Sequence, residues 1–411
     1  FSNILFIHNF LLDQSAAETF AEARRFGKLV ASKARPYSTW NTPPDPDRCL
    51  RIGLVSADLR IHPVGHFLEG VLSALTNQPA GRLEFFAYHN HLAHDALTER
   101  LRSCCHIWHS VVGLSDEELA ALIHSESIDI LIDLSGHTAQ NRLPMFAWKP
   151  APIQATWLGY FATTGVSTID YLIADPWTLP ESEEIHFSES IWRLPETRLC
   201  FTPPAENVEV SLLPALQNGF VTFGCFNNLT KMNDAVVDLW ARILTALPDS
   251  CLFLKAKQIH DPAIQENIIA RYAAHGIGRE RLILEGPSPR ANYLATYQRV
   301  DIALDPFPYT GGTTSAEALW MGVPVLSLAG TSFLARQGVG LLMNASLPEW
   351  VASDADDYVA RSIAHAKDLQ YLSTLRNRLR KQVLNSPIFN AQRFAIHFDS
   401  ALRSMWHKWC S

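Results

Sequence analysis

The sequence predicts an α/β protein: two Rossmann-like, doubly wound domains facing a cleft, preceded by a helical segment. Three observations carry this. Short apolar strands alternate with helical stretches in two series, one from Leu50 and one from Gly219. A proline-rich stretch from Arg35 to Asp47 stands ahead of the first series and reads as a linker. The stretch from Asp301 to Leu328 reads strand, glycine-threonine loop, helix, strand. Such alternation implies parallel sheets covered on both faces, with ligands at the carboxyl ends of the strands.

Taken in order, residues 1 to about 35 read as helical, with Ala16 to Ala34 rich in Ala, Glu, Arg and Lys. The first series opens with the strand LRIGLVSADL from Leu50, followed by a helix over His66 to Leu75 and a strand over Leu83 to Tyr88. Helices are expected at Leu92 to Ser103 and Asp116 to His124, and strands at Ile128 to Leu134, Ile153 to Leu158 and Tyr171 to Ala174. In the second series Phe220 to Phe226, Cys251 to Lys255 and Leu282 to Glu285 read as strands, with helices over Asp234 to Leu247 and Ile264 to Gly276. The tail from Asp354 to Trp409 reads as helix, broken near Ser386-Pro387. Expected domains are 1–48, 49–205 and 206–385, with a final helix over 386–411.

The stretch from Asp301 to Leu328 organises the second half. Its loop, Thr310-Gly311-Gly312-Thr313-Thr314, enters a helix expected over Ser315 to Met321. Glycines let the backbone approach a ligand closely, and a helix start offers free N–H groups and partial positive charge. That combination suits a phosphate, so a nucleotide's pyrophosphate is expected here. Thr314-Ser315-Ala316-Glu317 also fits a capping box, in which Glu317 folds back onto its own helix start. The loop has neither the Gly-Lys-Ser/Thr of a Walker motif nor a Gly-x-Gly-x-x-Gly.

Composition narrows the class. With 411 residues and 47% apolar content the chain is long enough for two or three cored domains. A net charge of −7 argues against a general nucleic-acid binder. No apolar run approaches a membrane span, and no signal peptide opens the chain. The seven cysteines contain no Cys-x-x-Cys, which suits a reducing cytoplasm better than a disulfide framework.

Other candidates follow strands. In Ile61-His62-Pro63-Val64-Gly65-His66 the two imidazoles fit a helical metal pair, a capping histidine, or a loop base or substrate-orienting group at His62. Pro63 and Gly65 place His62 in the loop, and the spacing fixes no third ligand. Phe223-Gly224-Cys225-Phe226-Asn227-Asn228-Leu229-Thr230-Lys231 offers amides for a base or sugar and a cation for a diphosphate. Arg290 and Tyr293 could clamp and stack on a base.

These pieces combine. From Ser2 to Trp409 the chain resembles the catalytic region of the O-linked N-acetylglucosamine (O-GlcNAc) transferases, especially their bacterial relatives. The matching segments are HPVGH at 62–66, RLPMFAWKPAPIQATWLGYFATTG at 142–165, DYLIADPWTLP at 170–180, FGCFNNLTKM at 223–232 and TGGTTSAEALWMGVPV at 310–325. The resemblance implies a B-type glycosyltransferase fold, a UDP-sugar donor, normally UDP-N-acetylglucosamine, transfer to Ser or Thr of an acceptor protein, and no metal or other cofactor. It also implies tetratricopeptide helices upstream, of which residues 1–48 would be the end, so a truncated N-terminus is expected, and a last helix that crosses back to the first domain.

Carried over by position, His62 matches the histidine proposed as proton acceptor, and Lys231 the lysine holding the diphosphate. Asn228 stands where animal enzymes have glutamine at the nucleotide. Ser288, Pro289 and Arg290 match the segment lining the uracil, and Tyr293 replaces a histidine near the base. Gly311, Gly312, Thr313 and Thr314 fall in the diphosphate loop, with Gly312 in place of the animal histidine. Glu317 replaces the aspartate that binds ribose. His124 matches a further histidine, for which a structural role at a helix end is expected, and Gly159, Thr163 and Thr164 match a loop near sugar and acceptor. The expected reaction is inverting transfer of N-acetylglucosamine. The alternatives are a cytoplasmic N-glycosyltransferase that puts glucose on Asn, and a UDP-binding scaffold without catalysis.

Overall fold

The computed structural model describes residues 1–12, 14–77 and 82–411; Asp13, inside the expected N-terminal helical run, lies outside them. The chain divides into two compact units, residues 1–202 with 390–411, and residues 203–389. The first unit holds β1 (Leu50–Ser56), β2 (Leu83–His89), β3 (Ile107–Ser110), β4 (Ile130–Asp133), β5 (Ile153–Thr156), β6 (Tyr171–Ala174) and β7 (Ser190–Arg193). The second holds β8 (Thr222–Cys225), β9 (Cys251–Lys255), β10 (Leu282–Glu285), β11 (Ile302–Leu304), β12 (Val325–Leu328) and β13 (Val351–Ala352).

Both sheets are parallel and both reverse direction once. Their orders are β3-β2-β1-β4-β5-β6-β7 and β10-β9-β8-β11-β12-β13. Each is the doubly wound Rossmann order, with its switch point between β1 and β4 or between β8 and β11. Central strands such as β4, β5 and β8 are buried at every residue, as strands covered on both faces are, with polar residues among them hydrogen-bonded inside. The strands the sequence did not announce are β3, β7 and β13. All three are edge strands, short and only partly buried, so no continuous apolar run marks them.

Helices start where short polar side chains can take free amides. Ser15 with Glu18 and Ser115 with Glu118 form capping boxes, and Asn233 accepts from Val236. The helix Asp234–Ala246 then buries Val236, Val237, Trp240, Ile243 and Leu244 along one stripe. Burial of each such large side chain stabilises by about 1.5–3 kcal/mol.

The N-terminal helices share the first unit's core. Leu5, Ala23, Phe26 and Val30 belong to the same buried cluster as Phe86, Leu131 and Phe146. Contact is close enough to demand glycine: a Cβ on Gly27 would lie 1.7 Å from the carbonyl oxygen of Gly165. The tail is three helices, Ala355–Lys367, Leu369–Leu384 and Ala391–Cys410. A break at Asp368, which caps the second of them, therefore joins the break expected near Pro387. The last helix packs in the first unit, where Phe394 and Phe398 flank Trp157 and the Trp406 indole donates to the Asp45 carbonyl at 2.8 Å.

Candidate active site

In the second unit, every nucleotide-site residue expected from the sequence lies in the loops leaving the carboxyl ends of β8, β10 and β11 or on the helices Arg290–Thr296 and Thr313–Trp320 that those of β10 and β11 enter. Lys231 follows β8. Its Nζ donates to Asn227 Oδ1 at 3.1 Å and to the Thr310 carbonyl at 3.0 Å, and lies 4.1 Å from the centre of the Tyr309 ring. Burial pushes its ammonium down to about 8, against the opposing pull of the Asp305 carboxylate.

Asp305 is the anchor of the glycine loop. It is 1% exposed, and its Oδ1 accepts the Gly311 N–H at 2.6 Å while Oδ2 accepts the Ser327 hydroxyl at 2.8 Å. Burial raises its carboxyl to about 6 despite these bonds. A Cβ on Gly311 would come within 2.3 Å of Ser315 Oγ and 2.8 Å of Asp305 Oδ1, so this glycine serves the inner anchorage. Its N–H is committed to Asp305, so free donors begin with the residues after it. At Gly312 a Cβ would meet nothing within 4 Å, so that side of the loop is open.

The helix begins at Thr313, two residues earlier than expected, and no side chain caps it. Its first turn closes with Ala316 N–H to the Gly312 carbonyl, so the amides of Thr313, Thr314 and Ser315 have no partner within the helix. The Thr313 hydroxyl, at the uncapped helix start, and the Ser288 hydroxyl, in the loop after β10, are buried without a hydrogen-bond partner. Buried polar atoms in a folded protein are normally paired, so both fit groups awaiting a ligand.

Glu317 does not fold back as a cap. Its Oε1 meets Arg290 Nη1 at 2.5 Å and its Oε2 accepts the Tyr293 hydroxyl at 2.9 Å. Burial raises its carboxyl, opposed first by Arg290. Tyr297 donates to the Thr314 carbonyl at 3.1 Å, tying this cluster to the helix start. Pro289 is exposed, and Asn228 is exposed with its oxygen on Thr230 and Gln258.

In the first unit, His62 caps the helix Pro63–Thr76, its Nδ1 accepting the Val64 N–H at 3.3 Å, with Asp58 Oδ1 at 3.6 Å. Burial lowers its pKa, opposed by Asp58. A neutral ring whose Nδ1 accepts carries its proton on Nε2, so the outer nitrogen is a donor. Among the described residues no three His, Cys, Asp or Glu side chains group as metal ligands, so His62 and His66 do not form part of such a set. His124 is a linker pin: it stacks on Tyr37 at 3.9 Å and bonds the Thr39 carbonyl at 2.9 Å.

One expected loop turns inward. Thr163 and Thr164 are buried, with the Thr163 hydroxyl on Glu189 Oε2 at 2.6 Å and the Thr164 N–H on Glu189 Oε1 at 2.8 Å. Their hydroxyls are both engaged by the Glu189 carboxylate. Gly159 is a packing glycine, since a Cβ there would lie 2.1 Å from the Leu134 carbonyl. Sequence reasoning passed over Asp305, and it named Asn227 only as one of two amides for a base or sugar. The available signal for Asp305 was a polar residue immediately after β11.

Two Rossmann-like units in one chain, the second with an uncapped helix start and a half-buried lysine at its switch point, fit a B-type glycosyltransferase fold. The chain belongs to glycosyl transferase family 41, whose model matches residues 11–201 and 212–398. It is 36% identical over 413 residues to the Arabidopsis thaliana protein named probable UDP-N-acetylglucosamine–peptide N-acetylglucosaminyltransferase SPINDLY, covering 99% of this chain and 45% of that protein. The chain thus spans less than half the length of that relative. An O-GlcNAc transferase mutant of Thermobaculum terrenum matches at 38% identity and a TM-score of 0.94, covering 100% of this chain and 77% of that one. The lipopolysaccharide outer core galactosyltransferase WaaB, at 15% identity and a TM-score of 0.56 over 87% of this chain and 100% of its own, shares the fold.

Proposed function

We propose that this chain is the catalytic part of a protein O-linked glycosyltransferase, moving N-acetylglucosamine from UDP-N-acetylglucosamine to Ser or Thr hydroxyls with inversion. The observation that carries the reading is the group formed by Lys231, the free amides of Thr313 to Ser315 and the unpartnered hydroxyls of Thr313 and Ser288. An acceptor hydroxyl attacks the anomeric carbon as the bond to UDP breaks, its proton passing to a phosphate oxygen of the leaving UDP or to water, and charge develops on the diphosphate. Preorganised donors there lower the barrier, and removing one such donor typically costs about 10²–10³ in rate.

Lys231 supplies the cation and the helix start the amides, so the reading calls for no metal. Ser288, Pro289, Arg290 and Tyr293 take the base, Asn228 meets the nucleotide from β8, and Glu317 anchors the ribose side through its two partners. His62 orients the reacting groups through its Nε2 proton. We place the enzyme in the cytoplasm, a reducing compartment that suits its seven free cysteines.

The test is a transfer assay on a peptide mixture read by intact mass, with UDP-N-acetylglucosamine, UDP-glucose and a guanosine diphosphate sugar as separate donors. Modification of Ser or Thr by N-acetylglucosamine is the expected result. Glucose on Asn, transfer from the guanosine donor alone, or UDP binding without any transfer would each replace this reading with another.

A further inference from the structure

Lys231 does not reach its position unaided. Asn227, 7% exposed and immediately beyond β8, presents its amide oxygen to two donors from different loops, Lys231 Nζ at 3.1 Å and Thr314 Oγ1 at 3.0 Å. Its amide nitrogen faces the Cys225 sulfur at 3.7 Å. Two donors on oxygen and a sulfur on nitrogen fix which way the amide is turned. We propose that Asn227 is a positioning residue, which ties the ammonium after β8 to the helix start after β11 so that both act on one diphosphate. This rests on reading that cradle as the diphosphate site.

The residue type follows from the charges present. An ammonium has three N–H bonds, and Asn227 with the Thr310 carbonyl takes two of them, leaving one for a ligand. Asp305 already sets one carboxylate near Lys231, and the Cys225 thiol and the Tyr309 ring face it as well. An amide completes the bonding with a dipole and adds no charge. A carboxylate of the same shape would hold the same two donors, but it would put a second negative charge beside the anion that has to bind.

Asn227→Asp therefore separates position from charge. The probe is UDP, titrated calorimetrically from pH 6 to 9 into native protein, Lys231→Ala, Asn227→Asp and Asn227→Ser, with thermal unfolding of each variant measured without UDP. In native protein affinity is expected to hold below about pH 8 and to fall above it as Lys231 loses its proton. Asn227→Asp should keep the native unfolding temperature, bind UDP at least about tenfold more weakly at neutral pH, and move the alkaline limb upward, because a second carboxylate favours the charged lysine. Asn227→Ser, which removes the acceptor without adding charge, should weaken UDP about three- to tenfold; it remains readable if the aspartate variant unfolds. UDP affinity equal to native in either variant, or an unmoved alkaline limb in Asn227→Asp, overturns the inference. Native protein that fails to bind UDP refutes the diphosphate cradle itself, a separate result.

Discussion

The two units solve one problem twice and then part. At each switch point a buried aspartate ends the fourth strand or follows it, reaches the hydroxyl of the fifth strand, and holds the loop below it. Asp133 accepts from Thr156 Oγ1 at 2.8 Å, from Ser135 N–H at 3.1 Å and from Gly136 N–H at 2.8 Å. Asp305 accepts from Ser327 Oγ at 2.8 Å and from Gly311 N–H at 2.6 Å. Burial raises both carboxyls to about 6. What differs is the disposition of the remaining amides. The helices after β1 and β8 are both capped, by His62 and Asn233, and those after β4 and β11 both lack a side-chain cap. The helix after β4 has only four residues, whereas the one after β11 has eight with the first amides free, and a lysine stands near its aspartate. Donors left unpaired, together with a cation, make an anion site; the strand order common to both units does not.

The largest expected break in this comparison is Lys231→Ala, which removes the ammonium near Asp305. Transfer should fall by about 10²–10³, with UDP binding weakened in calorimetry. Full-rate transfer by that variant would sink the catalytic assignment. Next, His62→Ala should lower transfer by about 10²-fold in a steady-state assay while UDP affinity stays within about twofold. A matching loss of UDP affinity would place His62 at the nucleotide instead.

The matched pair Asp133→Asn and Asp305→Asn tests the likeness itself. Each alters a carboxylate that holds buried amides, so each should destabilise by about 1–3 kcal/mol in denaturant titrations. UDP affinity should fall only for Asp305→Asn. Equal loss in both would show that the loop below Asp305 is not specifically the ligand's. The stability of both carboxyls also carries a sign: folded values near 6 exceed the usual carboxylate value of 3.8, so folding binds protons there. These two groups therefore add stability below about pH 4 and lose it as pH rises from about 4 to 6, a slope that each asparagine variant should flatten. The smallest effect is expected at Gly312→Ala. The open space beside it should hold a methyl group with UDP affinity changed less than about threefold.

Much of this was legible in the residues. Buried central strands announce themselves as apolar-rich runs, and the helices as stretches bounded by Ser, Asp and Asn caps. Glycine and threonine at a strand-to-helix turn pointed to the phosphate loop without any structure. Edge strands β3, β7 and β13 were not legible, because half their surface faces water and their composition is mixed. At Glu317 the residues allowed two roles of equal chemical sense. The placement of Arg290 and Tyr293, on the helix after β10, takes Glu317 away from the capping role.

The sequence by itself determined the fold class, the glycine-threonine loop and the lysine after β8, because periodicity and turn chemistry act over a few neighbouring residues. Tertiary structure alone decided that Asn227 bridges Lys231 to Thr314, that Asp305 takes the Gly311 amide, and that Thr163 and Thr164 turn inward to Glu189. A hydrogen bond is fixed by distance and direction between groups many residues apart, and local pattern carries neither.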